Sequence, residues 1–289
     1  MSNNNHQKKG RAYRIAIQGG YGAFHETAAI HYFEGQEIEI IPRDTFKELM
    51  VSLRKNEADF GIMAIENNIA GSILPNYKLL TESNKRIIGE IYMRIEQNLV
   101  AIPGQTIEDI KEVFSHPMAI LQCQDFFEQY PGIRLIDSND TALSAKKIKE
   151  EELQGIGAIA SAYAAEKYEL NILSKGIETN KNNYTRFLIL QYNDEKLIKP
   201  NGINKSSVHF ALAHQIGSFS KIMSILSFYD INLSKIQSMP IVGRDWIYQF
   251  YIDLDFDDYA RYRQSIEAIK PFTSNLGILG EYKKGKSVF

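Results

Sequence analysis

Asn183-Tyr184-Thr185-Arg186-Phe187-Leu188-Ile189-Leu190 runs from polar side chains straight into an apolar strand, and the rest of the 289-residue chain is read outward from it. The apolar run from Phe187 to Leu190 predicts a strand buried on both faces, which places Asn183, Thr185 and Arg186 together at one end. Polar groups in that position find partners or face a crevice. On propensity alone, Thr185 is a β-former with a satisfied hydroxyl.

Upstream, apolar strands repeatedly end in polar clusters. Tyr13 to Ile17 is followed by Gly19, Gly20 and Gly22 and by a helix-compatible run from Phe24 to Phe33. A strand, a glycine turn and a helix N-terminus suit an anion, because free N–H groups point into the turn. A dinucleotide fingerprint would need a third glycine where His25 stands. Asp44 is expected to cap a helix with Phe46, Leu49, Met50 and Leu53 on one face. Phe60 to Ile65 is a buried strand ending in Glu66-Asn67-Asn68, with Gly71-Ser72 before a helical run from Ile73 to Leu80. Ile87 to Ile102 alternates like a strand and suits a crossing between two lobes.

Thr106 and Asp109 form an approximate capping box. Glu112 to Phe114 leads into Ser115-His116-Pro117, where proline suits the first turn of a helix reaching about Tyr130. Ile133 to Ile136 ends at Ser138-Asn139-Asp140-Thr141 before a helix from Ala142 to Glu152. Gly157 to Ala160 ends at Ser161 and another helix. Strands alternating with helices predict an α/β region with largely parallel sheets. Ligands of such sheets bind beyond the carboxyl ends of the strands. Those ends carry Gly19 to Gly22, Glu66 to Ser72, Ser115 to Gln122, Asn139 to Thr141 and Ser161, so uncharged donors gather where an anion would be held.

After Leu190, the polar segment Gln191 to Lys205 reads as a linker and the pattern changes. Strands at Val208 to Ala213, Leu233 to Ser238, Trp246 to Leu254 and Leu276 to Tyr282 interleave with helices at Ser218 to Tyr229 and Asp257 to Lys270. That βαββαβ order is ferredoxin-like.

A formal charge of -2 and a pI near 6.3 give no general attraction to nucleic acid or anionic membrane. The single cysteine, Cys123, forms no intrachain disulfide and reads as a small buried hydrophobe, consistent with a cytoplasmic protein. No apolar run reaches the roughly 20 residues that span a bilayer. Met1 to Arg11 is polar, lacks an apolar signal core and reads as part of a disordered tail.

The Thr185-Arg186-Phe187 motif resembles the Thr-Arg-Phe signature of the prephenate dehydratases. Glu66-Asn67-Asn68 with Gly71-Ser72 is similar to that family's Glu-Asn motif, and Ser115-His116-Pro117 with Gln122-Cys123 to its Ser-His-Pro motif. The glycine turn resembles the family's Gly-Pro-x-Gly-(Thr/Ser)-Phe segment, with Gly20 for the proline and Ala23 for the hydroxyl residue. The C-terminal pattern, with Ile216-Gly217-Ser218-Phe219 and Gly243-Arg244, resembles the ligand-sensing ACT domain that follows the catalytic region. The resemblance covers nearly everything after residue 13.

It implies a two-lobed, periplasmic-binding-protein-like catalytic region at 13–192 with a cleft, followed by an α+β ferredoxin-like ACT domain at 206–289. Lobe 1 is expected at about 13–94 and 171–192 and lobe 2 at about 95–170. Residues 1–12 are then a tail and 193–205 a linker. The implied reaction removes carbon dioxide and a ring hydroxyl from prephenate, giving phenylpyruvate and water, with no metal or organic cofactor. Aromatisation drives it, so the protein must hold a dicarboxylate and help hydroxide leave as water.

The resemblance implies that Thr185 hydrogen-bonds the departing hydroxyl, tuned by Glu66 or His116. Asn67, Ser72, Ser115, Gln122 and Thr141 are the implied carboxylate donors. Arg186 and Phe187 complete the substrate set, with pairing to Glu66 and plain packing as their respective alternatives. An arogenate dehydratase and a non-catalytic small-anion or amino-acid binding protein are the competing functions. Relatives sense phenylalanine through Gly-Ala-Leu and Glu-Ser-Arg-Pro segments. Here these are Gly217-Ser218-Phe219, next to Ile216, and Gln237-Ser238-Met239-Pro240. A folded ACT domain binding L-phenylalanine at a subunit interface with altered affinity is expected, in a homodimer or homotetramer.

Overall fold

The strand Tyr184–Tyr192 is hydrogen-bonded antiparallel to Phe60–Asn67 on one side and to Lys85–Arg94 on the other. Its Phe187 to Leu190 core is buried throughout, as the two-sided apolar run requires. In the computed structural model, residues 11–83, 85–192, 202–212, 215–241, 243 and 247–288 are described. Most of the expected tail and linker, and Ala213, Arg244 and Trp246, lie outside them.

From this centre the sheet continues outward through Phe60–Asn67, Tyr13–Gln18 and Ile38–Arg43, the last three mutually parallel. In the other direction Lys85–Arg94 meets Ser274–Tyr282, then Lys205–Leu212, Tyr248–Asp255 and the edge strand Asn232–Pro240. The C-terminal domain's sheet is therefore continuous with that of lobe 1. The junction is narrow: Gly280 lies opposite Ile87, and a Cβ there would stand 2.2 Å from the Ile87 carbonyl oxygen. Only glycine permits that approach.

The C-terminal strands have the order second, third, first, fourth, and the helices Ser218–Phe228 and Tyr259–Ile269 cover one face. This is the expected ferredoxin-like arrangement. Pleating divides each strand. Phe250, Ile252 and Leu254 face the helices, while Tyr251 and Asp253 face lobe 1.

The second lobe is a five-stranded sheet ordered Asn171–Ser174, Asn98–Ala101, Ile156–Ala160, Glu112–Ser115, Arg134–Asp137. The chain crosses into it between Arg94 and Asn98, where the alternating stretch predicted a crossing. Four local expectations need correction, the fourth being the helix after Pro117. Lobe 2 does not end at 170, because Asn171–Ser174 pairs antiparallel with Asn98–Ala101 and the central strand resumes only at Tyr184. Both sheets are mixed: parallel pairs lie in the strand–helix–strand stretches and where C-terminal residues meet Lys85–Arg94, and the central strand is antiparallel to both neighbours. Thr45, not Asp44, caps the next helix by accepting from Glu48 N at 3.1 Å, while the Asp44 amide donates to the Glu48 carboxylate.

The helix expected from Pro117 to Tyr130 breaks at Cys123 into Pro117–Gln122 and Gln124–Phe127. Cys123 is fully buried and its thiol is pushed up to about 12 by desolvation, which suits the small-hydrophobe reading. Among the described residues no helix is long and apolar enough to cross a membrane.

Candidate active site

Between the lobes lies a cavity of about 430 Å³. Lobe 1 contributes Gln18, His25, Asn67, Ser72, Thr185 and Phe187 to its wall, and lobe 2 contributes His116, Gln122, Asn139 and Thr141. Among the described lining residues there is no lysine or arginine. An anion held here meets amides, hydroxyls and imidazoles, and one carboxylate, Asp140, also stands on the wall.

The motifs meet through a chain of amides. Asn67 Oδ1 accepts from the backbone N–H groups of Ile69 and Ala70 at 2.9 and 2.8 Å, which identifies the other end of its amide as the donor. That Nδ2 lies 2.7 Å from Asn183 Oδ1, 3.1 Å from the Tyr184 carbonyl and 3.0 Å from Thr185 Oγ1. Asn183 Nδ2 in turn donates to Gln122 Oε1 at 3.0 Å, which ties lobe 2 to the strand end. Two consequences follow from donor and acceptor counting. Thr185 Oγ1 accepts a hydrogen bond from Asn67, so its own proton is free to be donated elsewhere. Gln122 Nε2 has no partner among the described residues and stands at the cavity wall. Asn67 was expected as a carboxylate donor; its amide is instead committed to orienting Thr185.

The pleat removes two expected residues from the cleft. Thr185 faces Asn67 and Arg186 faces Glu66 across the ladder, so the two pairs point to opposite sides. Arg186 is 3% exposed and turned towards the C-terminal domain. It bonds Glu90 at 2.7 Å, Glu66 at 3.1 Å, the Asp253 carboxylate and the Tyr282 hydroxyl at 3.0 Å. Glu66 is bound by Arg186 and by Lys235 and does not line the cavity. A substrate-binding role for Arg186 and a direct tuning role for Glu66 are thus both replaced by an interdomain one. Ser115 is likewise diverted: fully buried, it donates to the Ile159 carbonyl at 2.9 Å and stitches neighbouring strands. Phe187 does line the cavity, with its ring edge against His25 at 5.0 Å.

His116 lies at the cavity wall as the helix cap, its Nδ1 accepting from Met118 N at 3.1 Å. In the neutral ring the proton is then on Nε2, available as a donor. Thr141 opens the helix Thr141–Glu150, capped by Asp140 Oδ1 accepting from Leu143 N at 2.8 Å. His25 was not anticipated as a site residue. Its ring is packed by Phe46 and Phe187, Nε2 accepts weakly from Ala64 N at 3.4 Å, and desolvation pushes its pKa down to about 3. It is therefore a neutral imidazole whose Nδ1 has no partner among the described residues. A histidine on a helix of low amphipathicity carried no signal of this role.

The glycine turn, expected to suit an anion, receives one from the protein itself. A Cβ on Gly19 would stand 2.5 Å from Asp140 Oδ2, so the lobe 2 carboxylate lies against the turn. Burial raises the Asp140 pKa, against the pull of the Leu143, Gly20 and Ala142 amides. Beside it, Gly22, at φ +90°, approaches Ala164 closely while Ser161 Oγ donates to its carbonyl at 3.0 Å. Tyr163 and Lys167 reach Glu26 at 3.1 and 3.0 Å. This side of the cleft is a lobe-to-lobe contact.

Two α/β lobes around a donor-lined cavity, with a ferredoxin-like domain sharing one sheet, define the class: a two-lobed small-molecule protein with an ACT-type domain. The prephenate dehydratase family model matches residues 15–195. The bifunctional chorismate mutase/prephenate dehydratase of Aquifex aeolicus is 32% identical over 273 residues, covering 94% of this chain and 74% of that protein. Arogenate dehydratase/prephenate dehydratase 1 of Arabidopsis thaliana is 34% identical, covering 93% and 71%. Among solved structures, prephenate dehydratase of Arthrobacter aurescens in complex with L-Phe has a TM-score of 0.83 and 27% identity, covering 93% of this chain and 89% of that one. GqqA, described as a novel type of quorum-quenching acylase, also has a TM-score of 0.83, with 28% identity and coverage of 94% and 98%. The chain belongs to the prephenate dehydratase family.

Proposed function

We propose that the protein converts prephenate to phenylpyruvate, carbon dioxide and water, with Thr185 as the hydrogen-bond donor to the departing ring hydroxyl. The observation that carries this reading is the hydrogen bond that Thr185 Oγ1 accepts from Asn67 at 3.0 Å at the cavity wall, which orients the hydroxyl and leaves its proton for a leaving group. As the ring carboxylate departs as carbon dioxide, its bonding electrons enter the ring, the C–O bond breaks and the oxygen leaves as water. The reaction consumes one proton. A threonine hydroxyl is too weak an acid to supply it outright, so Thr185 orients or relays a proton taken up from solvent, and neutral His116 assists as a hydrogen-bond donor through Nε2 at the wall. Acid assistance of this kind contributes about 10² to 10⁴ in rate.

The two substrate carboxylates fall to neutral donors, with Gln122 Nε2, the Thr141 hydroxyl, Ser72 and His25 Nδ1 proposed for that role. Replacing Gln122 by alanine is expected to raise KM roughly 10- to 150-fold, the loss of about 1.5–3 kcal/mol typical of a hydrogen bond to a charged group. Steady-state kinetics check this, and an unchanged KM would return Gln122 to a structural role.

Arogenate is the second reading, favoured by the Arabidopsis relative's name. A cavity with neutral donors and Asp140 near its wall accommodates an ammonium as well as a ketone. Competing prephenate against arogenate and comparing kcat/KM decides between them, and the proposal expects prephenate to be preferred.

L-Phenylalanine is the proposed regulatory ligand of the C-terminal domain. Gly217, at φ +77°, opens the helix Ser218–Phe228 beside fully exposed Ile216, while Phe219 stacks on Phe250 at 5.0 Å. Ser238 and Pro240 are exposed on the strand Asn232–Pro240; Gln237 and Met239 alternate to the other face, where Met239 packs against the cluster containing Tyr77 and Tyr251. That environment accounts for methionine where relatives carry arginine. Calorimetric titration with phenylalanine should show saturable binding, and no heat at millimolar ligand would refute the assignment.

A further inference from the structure

We propose that Lys235, contributed by the C-terminal domain, is a positioning residue of the cleft: its ammonium grips the Glu66–Ser72 turn from behind and holds in place the segment through which Asn67 and Ser72 line the cavity. Lys235 Nζ lies 2.8 Å from Ser72 Oγ and also bonds the Glu66 carboxylate. Its side chain is 16% exposed. An ammonium only donates, so Ser72 Oγ must accept, and its own proton is left for another partner. Ser72 lines the cavity and Lys235 does not. The lysine thus brings a positive charge to one hydroxyl's distance from a cleft whose described lining has no lysine or arginine.

The turn needs such a support. Glu66 pairs with Ser72 and Asn67 with Gly71 in a two-residue strand, and Gly71, at φ +83°, has nothing within 4 Å of where its Cβ would be. The same turn carries Asn67, which orients Thr185. On its own strand Lys235 is aimed by an irregularity: the register with Tyr248–Asp255 shifts between Leu233 and Lys235, so Leu233 joins the domain core while Lys235 faces lobe 1. Bulges of this kind re-aim side chains near sites. Lys235 lies opposite Asp253, which binds Arg186, the neighbour of Thr185. The C-terminal sheet therefore touches lobe 1 beside Asn67 and Thr185 by two adjacent ion pairs, Lys235–Glu66 and Asp253–Arg186.

This inference rests on the dehydratase reading for its kinetic consequence and on geometry alone for its structural one. Lys235→Met keeps the apolar stem and removes the charge; Lys235→Arg keeps a donor. In the full-length protein, amide exchange across 66–73 should accelerate at least about tenfold in Lys235→Met while the C-terminal helices keep their protection. The KM for prephenate should rise about tenfold with kcat within threefold, and Lys235→Arg should recover most of both. Unchanged exchange across 66–73 overturns the proposal whatever the substrate. Protection lost evenly over both domains, with Lys235→Arg no better, overturns it as well, since Lys235 would then be a general stabiliser. If the wild type turns over neither prephenate nor arogenate, the dehydratase reading fails and exchange alone decides the role of Lys235.

Discussion

Thr185→Ala should lower kcat for prephenate by at least about 10² while leaving unfolding by heat or denaturant almost unchanged. Thr185 is 9% exposed at the cavity wall, and alanine keeps the β-carbon on which strand packing depends. What alanine removes is one hydroxyl that accepts a hydrogen bond from Asn67 at 3.0 Å and keeps its own proton for the substrate side. The loss therefore falls on the transition state, where the C–O bond is breaking, more than on substrate binding, and kcat and kcat/KM should fall together. Thr185→Ser should retain more activity, with some loss from the freer rotamer. Near-normal turnover in the alanine variant would remove Thr185 from the mechanism.

Arg186→Met is expected to be the most destabilising single change at the domain junction, costing about 3–5 kcal/mol in urea unfolding. Three cations, Arg186, Lys205 and Lys235, meet three carboxylates, Glu66, Glu90 and Asp253, and the Glu90 side chain is 0% exposed. Methionine fills the volume but leaves Glu90 and Asp253 short of a counter-charge in a dry environment. Burial alone would raise the Asp253 pKa, yet Arg186, Lys205 and the Ser207 hydroxyl outweigh it and hold the carboxyl below its ordinary value. A depressed folded-state pKa contributes stability that is full above the unfolded value near 4 and is lost as pH falls through the folded one. The wild type should accordingly lose stability as pH drops below about 4, and the Arg186→Met variant should show less of that acid dependence. A variant as stable as the wild type would mean that the cluster gives no net stabilisation.

Much of this was legible in the residues. The two-sided apolar run at Phe187 to Leu190 placed the central strand, and polar strand ends located Asn67, Ser72, Gln122, Thr141 and Thr185 on a common cavity. What stayed hidden is set by long-range geometry. Neighbouring residues on a strand point apart, so Glu66 and Arg186 could be assigned to the cleft only until the partner face was known to be covered by another domain. The lobe boundary was missed because Asn171–Ser174 is four residues long and its pairing with Asn98–Ala101 spans some seventy residues of chain. His25 was invisible for a similar reason: its environment comes from Phe46 and Phe187, far away in sequence.

On the proposed mechanism this cleft expels hydroxide, as water, and carbon dioxide from one substrate in a single process. Incubating the purified full-length protein with prephenate at neutral pH, and quantifying phenylpyruvate and carbon dioxide together, tests it most directly. Both products should appear in a one-to-one ratio, with turnover that collapses in Thr185→Ala. Failure of the wild type to accelerate phenylpyruvate formation above the spontaneous rate would contradict it.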